Sequence, residues 1–387
     1  MRKFLISSLA LILACGLGFA QENSAAKGGN TPPVEQINYS ESIPYQPVKF
    51  VQPEVKNKKK GKSNKNPDND QQIAANIPPL NVESGSVASI GEKAFKIPVS
   101  VFIRNGIPVA NLTKSDFKVF INDREREISD FEIAAREPLN VFLILDVSPS
   151  TSNSIEDIKR FATELTAELK PEDKIQIIRF DDNVKTLCEL TNDRNLVEKA
   201  IKKLDWGDGT SLYDAIHSVL QKNINPIAGR KTVVLLSDGV DTTSLRNSYE
   251  TSLITAEKSA ALFFTFYLDT YQDIGKIKTS PGGFPFPLPG GITSRPRGMD
   301  KMDYEIGKQY MTDLSRLSGG KAFEIMKISE LKKADFVNIS TVIKPLYTIG
   351  ITLPDALKAE RLQVKVRVNR PNLKIQARGS LIVGGDK

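Results

Sequence analysis

The stretch Val141-Phe142-Leu143-Ile144-Leu145-Asp146-Val147-Ser148-Pro149-Ser150 constrains the fold more than any other in this chain. Its apolar run stops abruptly at a carboxylate. A short segment with no polar interruption fits a strand buried on both faces, as in the middle of a parallel sheet, because a half-exposed strand would alternate. Asp146, Ser148 and Ser150 then fall at alternate positions of the loop at the strand's carboxyl end. A carboxylate and two hydroxyls are hard oxygen donors, the set that suits a divalent cation.

Around this stretch, residues 138–342 alternate strand and helix. Ile155, Ile158, Phe161, Ala162, Leu165 and Leu169 fall at helical spacing, with Asn153 and Glu156 as the expected capping-box start. Residues 175–180 and 184–190 read as a strand pair, and 196–204 and 212–220 as helices. Residues 232–236 form a second all-apolar strand closing at Ser237-Asp238-Gly239. A helix at 252–260, a strand at 262–268, a helix at 306–317 stopped by Gly319-Gly320, and a last helix at 331–342 complete the series. The expected fold class is α/β, a doubly wound, mostly parallel sheet with helices on both faces. Sites in such sheets form at the carboxyl ends of strands, where Asp146 and Asp238 both stand. The long loop from Asp269 to Met299 starts there too, and a loop of that length is either functional, with Phe284 and Phe286 as contacts, or disordered.

The flanks read differently. Phe95, Ile97, Val99, Val101 and Ile103 alternate up to the turn signal Asn105-Gly106, and Phe117, Val119 and Ile121 and then Ile128, Phe131 and Ile133 follow. Beyond the middle region Tyr347, Ile349 and Ile351, then Leu362, Val364, Val366 and Val368, then Leu373, Ile375 and Ala377 alternate again. Each flank alone buries too little to be stable. The economical arrangement pairs residues 81–137 with 343–387 as one discontinuous all-β sandwich, with 138–342 inserted in it; two separate β units are the alternative.

The amino-terminal region reads as targeting and tether. Arg2 and Lys3 precede an apolar stretch, and Gly18-Phe19-Ala20 offers a cleavage site before Gln21, so residues 1–20 are expected to be a signal peptide. Leu11-Ile12-Leu13-Ala14-Cys15 also resembles a bacterial lipobox, which would make the chain a lipoprotein anchored at Cys15. Either way the expected location is outside the cytoplasm: periplasmic, cell-surface or secreted. Residues 21–80, rich in Lys, Pro and Asn, read as a disordered linker, with Tyr39, Tyr45, Phe50 and Val51 as candidates for a local extended arm. The net charge of +7 is partly local, in Lys56, Lys58, Lys59, Lys60, Lys62 and Lys65, and reads as a solvated run, with contact to an anionic envelope surface as the alternative. No nucleic-acid partner is expected. Cys188 lies in an apolar context and reads as buried and structural, so any metal must be held by oxygen.

Three loops are expected to converge on one sheet edge: Asp146 to Ser150, Gly209-Thr210 ahead of a helix, and Ser237-Asp238-Gly239. At this point the chain resembles the von Willebrand factor type A family, whose metal-ion-dependent adhesion site is written D-x-S-x-S, then a threonine in a Gly-Thr loop, then an aspartate after a later strand. The first element alone would be weak; three in order on the expected elements are specific. The resemblance implies one ion, Mg²⁺ with Mn²⁺ or Ca²⁺ as alternates, held directly by Ser148, Ser150 and Thr210 and through water by Asp146 and Asp238. It also implies a protein partner that presents an Asp or Glu carboxylate to the ion. With its β flanks the chain further resembles exported bacterial proteins called VWFA-related in acidobacteria, a family defined by pattern rather than by activity. The expected function is metal-dependent protein binding in adhesion or assembly; a constitutive structural factor of the cell envelope is the alternative, and no enzyme is expected.

Blander readings explain single features. Asp146 as a helix cap and Asp238-Gly239 as a plain turn account for each motif but not for the trio. Asp208 and Asp241 read as solvated turn carboxylates rather than a second cation site. His217, inside a helix, reads as packing or surface rather than a general base. A phosphohydrolase with an Asp nucleophile would want a second Asp where Ser148 stands. Phosphate-loop, dinucleotide and Cys/His metal motifs are absent from the sequence.

Overall fold

A computed structural model describes residues 39–46, 92–134, 137–271, 298, 300–354 and 359–384. The leader with Cys15, the lysine run, and loop residues 272–297 with Phe284 and Phe286 lie outside the described residues.

The middle of the chain runs β1 (Leu139–Asp146), α1 (Ile155–Ala167), β2 (Lys174–Phe180), β3 (Val184–Thr191), α2 (Arg194–Lys202) and α3 (Leu212–Val219). It continues with β4 (Arg230–Ser237), α4 (Tyr249–Lys258), β5 (Leu262–Leu268), α5 (Lys301–Ser318), β6 (Lys321–Ile325) and α6 (Lys333–Val342). The strands lie in the order β3-β2-β1-β4-β5-β6. All pairings are parallel except β2 with the edge strand β3. The chain winds outward from β1 in one direction and resumes from β4 in the other. That reversal opens a crevice at the carboxyl ends of β1 and β4.

Strand β1 is buried on both faces. Val141, Leu143 and Leu145 pack with Phe161 and Leu165 of α1, Ile201 of α2 and Phe336 of α6. Phe142 and Ile144 face the other way, onto Ile216 of α3, Leu253 of α4 and Tyr310 of α5. Each such side chain contributes about 1.5–3 kcal/mol when removed from water. An uninterrupted apolar run is what a strand covered on both sides requires.

Several local expectations are corrected. The first helix does not start from an Asn153–Glu156 box: Pro149–Ser154 forms a tight 3-10 turn, and α1 begins after Ser154 without a side-chain cap. Pro149 suits the first position of that turn, and Thr151 Oγ1 closes it by donating to the Asp146 and Ser148 carbonyls at 3.1 and 3.0 Å. Helix α4 starts earlier than expected because the Ser248 Oγ caps it, accepting from Thr251 N. The apolar pattern did not reveal β6, a short edge strand with only one fully buried residue, Ile325. Cys188 is half-buried rather than buried, because β3 is the sheet edge.

The flanks form two antiparallel sheets over a shared core. In one, Glu92–Ile103 lies between Tyr347–Pro354 and Leu373–Ala377, with Asp130–Ile133 beyond Tyr347–Pro354. In the other, Glu360–Val368 pairs with Phe117–Ile121, Ser40–Glu41 and Ser380–Val383, and Arg124–Arg126 extends the Phe117–Ile121 edge. Strands from before and after the α/β region thus pair directly, with Ile97 opposite Ile349 and Val119 opposite Val366. Ile97, Val99, Val119, Ile349, Val364 and Val366 share one buried cluster between the sheets.

Residues 39–46, within the stretch read as linker with Tyr39 and Tyr45 as candidates for an extended arm, lie along Glu360–Val368 as such an arm. Ser42 exchanges hydrogen bonds with Val366 at 2.8 and 2.9 Å, Glu41 pairs with Arg367, and the Arg367 guanidinium covers the Tyr39 ring. Alternation over so few residues is invisible without the strand they pair with. The sheets are also stapled to the α/β region: buried Glu257 of α4 accepts from Arg361 at 2.7 and 2.9 Å and from Ser380 Oγ at 2.5 Å. Buried Arg378 donates to the carbonyls of Glu257, Ser259 and Ser380.

Candidate functional site

The crevice between β1 and β4 brings together four of the five sequence-named site residues. Asp146 ends β1 and Asp238 follows β4, both with no exposed surface. Ser148 Oγ and Ser150 Oγ lie 3.1 Å apart, and Ser150 Oγ donates to Asp238 Oδ2 at 2.6 Å. The Ser148 amide donates to Asp146 Oδ1 at 3.0 Å, which folds the loop back over the strand end and accounts for the alternate-residue spacing. Thr210 reaches the same edge through its main chain. Its carbonyl accepts from Thr242 and Thr243 at 2.9 and 3.0 Å, and its amide donates to Thr242 Oγ1 at 3.0 Å. The loop carrying Thr210 is further tied to the first by Gly207 N donating to Val147 O at 2.7 Å.

Other residues complete the site that sequence reasoning did not assign. Ser237 Oγ donates to Asp146 Oδ2 at 2.5 Å, and Thr270 Oγ1 donates to Asp238 Oδ2 at 2.7 Å. Both sit at strand ends, which was the available signal. Gly307 of α5 lies against Gly239 so closely that a Cβ on Gly239 would meet the Gly307 carbonyl oxygen at 2.4 Å. Gly239 also has φ +74°, so glycine is required there both for backbone conformation and for close approach. Tyr304, from the same helix, is buried and its phenol is lifted by burial and by the Asp238 charge.

The electrostatics are those of two carboxylates taken out of water side by side. Burial, with the Asp238 charge beside it, pushes Asp146 up to about 7 against the hydrogen bonds from Ser148 and Ser237. Burial likewise raises Asp238 against the bonds from Ser150, Thr270 and the Val240 amide. Among the described residues, neither carboxylate has a Lys or Arg partner. Hydroxyls and amides orient the pair without neutralising it. An all-oxygen donor set around an uncompensated buried carboxylate pair fits a hard divalent cation, which would supply the missing positive charge.

Features read more blandly from sequence fall elsewhere. Asp241 is buried rather than solvated, and its Oδ1 accepts from the Ser244 amide at 3.1 Å to close the turn. His217 Nδ1 lies 3.1 Å from Thr255 Oγ1 between α3 and α4.

Fold and site together define a doubly wound α/β domain with an oxygen-rich centre at its topological switch point. Residues 141–240 match the family model of the von Willebrand factor type A domain, and the chain carries a domain of this family. A stretch of 108 residues is 32% identical to uncharacterized protein sll0103 of Synechocystis sp., covering 27% of this chain and 26% of that protein. The chain thus spans about a quarter of the length of this curated relative. Among solved structures, BatB from Bacteroides thetaiotaomicron is 19% identical with a TM-score of 0.37, over 53% of this chain and 98% of that one. A von Willebrand factor type A protein from Catenulispora acidiphila is 11% identical with a TM-score of 0.40, over 70% and 73% of the two chains. Proximal thread matrix protein 1 from the mussel byssus, described with a zinc-occupied MIDAS motif, is 13% identical with a TM-score of 0.39, over 58% and 50%.

Proposed function

We propose that this chain is an exported, metal-ion-dependent protein-binding module that takes an acidic residue of a protein partner. The observation that carries this reading is the connected set Ser148, Ser150 and Asp238, next to the buried Asp146, on a von Willebrand factor type A domain. The hydroxyls of Ser148, Ser150 and Thr210 would hold one divalent ion, Mg²⁺ with Mn²⁺ or Ca²⁺ as alternates. Asp146 and Asp238 would contribute negative charge from behind, mainly through water. When bound, the ion offers an electrophilic position to an incoming Asp or Glu carboxylate. Neutral nearest donors leave much of its charge for that partner. Site and partner class are the same for adhesion and for assembly.

Export is supported by the leader-like residues 1–20, with a lipid anchor at Cys15 or the lysine run as the means of envelope association. Among the described residues, no helix is long and apolar enough to cross a membrane.

The test is affinity capture from envelope extracts by the full mature chain, in Mg²⁺ and in EDTA, with Thr210→Ala as control. Capture that depends on Mg²⁺ and on Thr210 is the expected result. A partner retained under both treatments would replace this reading with a constitutive structural or assembly role.

A further inference from the structure

One strand outward from Asp146, the carboxyl edge of the sheet holds a cationic cavity. Leu145 stands beside Arg179 on β2, and Arg179 beside Lys185 on β3, so this edge continues directly from the end of β1. The cavity, of about 400 Å³, is lined by Arg179, Lys185, Lys203, Asp205 and Trp206 among others. Its wall is joined to the loop that carries Ser148: Gly207 N, next to Trp206, donates to Val147 O at 2.7 Å. One carboxylate fixes that wall. Asp181 accepts from Arg179 at 2.9 Å and from the Asn183 amide at 2.7 Å, and it lies so close to Gly207 that a Cβ there would meet Asp181 Oδ2 at 1.8 Å. The Asp182 amide adds a bond to Asp208 O at 2.8 Å.

Charge in this cavity is not balanced. Asp181 neutralises Arg179, and Asp205 turns its Oδ1 back to accept the Trp206 amide at 2.9 Å. Lys185 and Lys203 are exposed, and among the described residues neither has a carboxylate partner. A single exposed lysine is an ordinary solvated side chain. Two that reach one concavity from different elements, beside the only tryptophan of the chain, repel each other and hold a positive field there. An incoming carboxylate relieves that repulsion, and the indole offers apolar contact to the methylenes that carry it.

We propose that this cavity is a second acid-binding site, which takes Glu or Asp side chains of an acidic peptide segment through Lys185 and Lys203, with Trp206 packed against them. It needs no divalent ion. The site therefore stands apart from the metal-dependent reading, and a protein bound at both would carry a run of acidic residues rather than a single carboxylate.

Trp206 makes the test direct, because all tryptophan emission of the chain comes from this cavity. Acetyl-tetraglutamate amide is titrated into the full chain, stripped of divalent ions on chelating resin, at low ionic strength, with acetyl-tetraglutamine amide and inorganic phosphate as comparisons. A saturable change in emission with the glutamate peptide alone is expected, weakened by added salt. The double variant Lys185→Ala/Lys203→Ala should bind on the order of tenfold more weakly, and Lys185→Arg/Lys203→Arg should retain binding, both at an unchanged thermal midpoint. No emission change, an equal response to the glutamine peptide, or full binding by the alanine variant overturns the inference. An equal response to inorganic phosphate assigns the cavity to a free anion and overturns it as well. Each of these outcomes leaves the metal-dependent reading standing, since that is tested by Mg²⁺-dependent capture.

Discussion

Ser150 Oγ donates to Asp238 Oδ2 at 2.6 Å, joining loops that are 88 residues apart in the chain. The bond spans the switch point of the sheet, so it ties together the loops that follow β1 and β4. It also keeps the Ser150 hydroxyl directed at a buried carboxylate, where a cation would be attracted.

The first prediction concerns ligand stabilisation. A cation that binds only the folded chain should stabilise it by about 2.7 kcal/mol at a hundred times its dissociation constant. Thermal denaturation in Mg²⁺ and in EDTA should therefore show a higher midpoint with Mg²⁺ for the natural chain. The difference should largely vanish for Ser150→Ala, and a variant that still responds fully would exclude Ser150 as a ligand.

The second concerns pH. Asp146 is raised from 3.8 to about 7, so the folded state holds its proton more tightly than the unfolded chain. This contribution to stability is complete below about pH 4 and is lost as pH rises through about 7. In EDTA the thermal midpoint should fall across that window, and Asp146→Asn should flatten the decline. Mg²⁺ should oppose it, because the cation favours the ionised form. A chelated chain whose midpoint rises from pH 5 to 7.5, unaltered in Asp146→Asn, would contradict the assignment.

The third concerns packing of α5 on the Asp238 loop. A Cβ on Gly307 would meet Gly239 C at 2.7 Å and Asp238 O at 2.8 Å, both main-chain atoms that cannot rotate away. Gly307→Ala should cost about 1–3 kcal/mol in urea unfolding, the usual range for overpacking. The strain falls on the segment that carries Asp238, so Mg²⁺ stabilisation should weaken as well. An unchanged urea midpoint would show that helix and loop separate easily.

The fourth concerns the staple between the sheets and the α/β region. Glu257 is buried and paired with half-exposed Arg361. Glu257→Ala removes the acceptor for Arg361 and Ser380 and should destabilise the chain by about 1–3 kcal/mol, because the buried Ser380 hydroxyl loses its partner while half-exposed Arg361 can turn to water. Chemical denaturation measures this. A loss below about 1 kcal/mol would place the junction's strength in the Arg378 bonds to main-chain carbonyls instead.

What could be read in advance follows from how local each signal is. The Leu143 to Asp146 strand end, the α3 spacing and the stop at Gly319-Gly320 depend on neighbours in sequence, and each element stands where it was expected. The start of α1 was misplaced because Pro149 and Thr151 form a different turn, which depends on the Asp146 carbonyl lying above it. The arm at residues 39–46 shows in the sequence only as an alternative to linker, through Tyr39 and Tyr45, because its pairing partner lies more than 300 residues away, where Ser42 meets Val366.

The same division runs through the site. The sequence by itself determined a strand buried on both faces that ends in Asp146, with Ser148 and Ser150 spaced behind it, because burial and alternation are written in consecutive residues. Only the tertiary structure decided that Ser237 and Thr270 hold the two carboxylates and that Gly307 leaves room for the Asp238 loop. Those relationships are set by which strand ends and helix starts the doubly wound sheet brings to one edge, and distance through space is not encoded in separation along the chain.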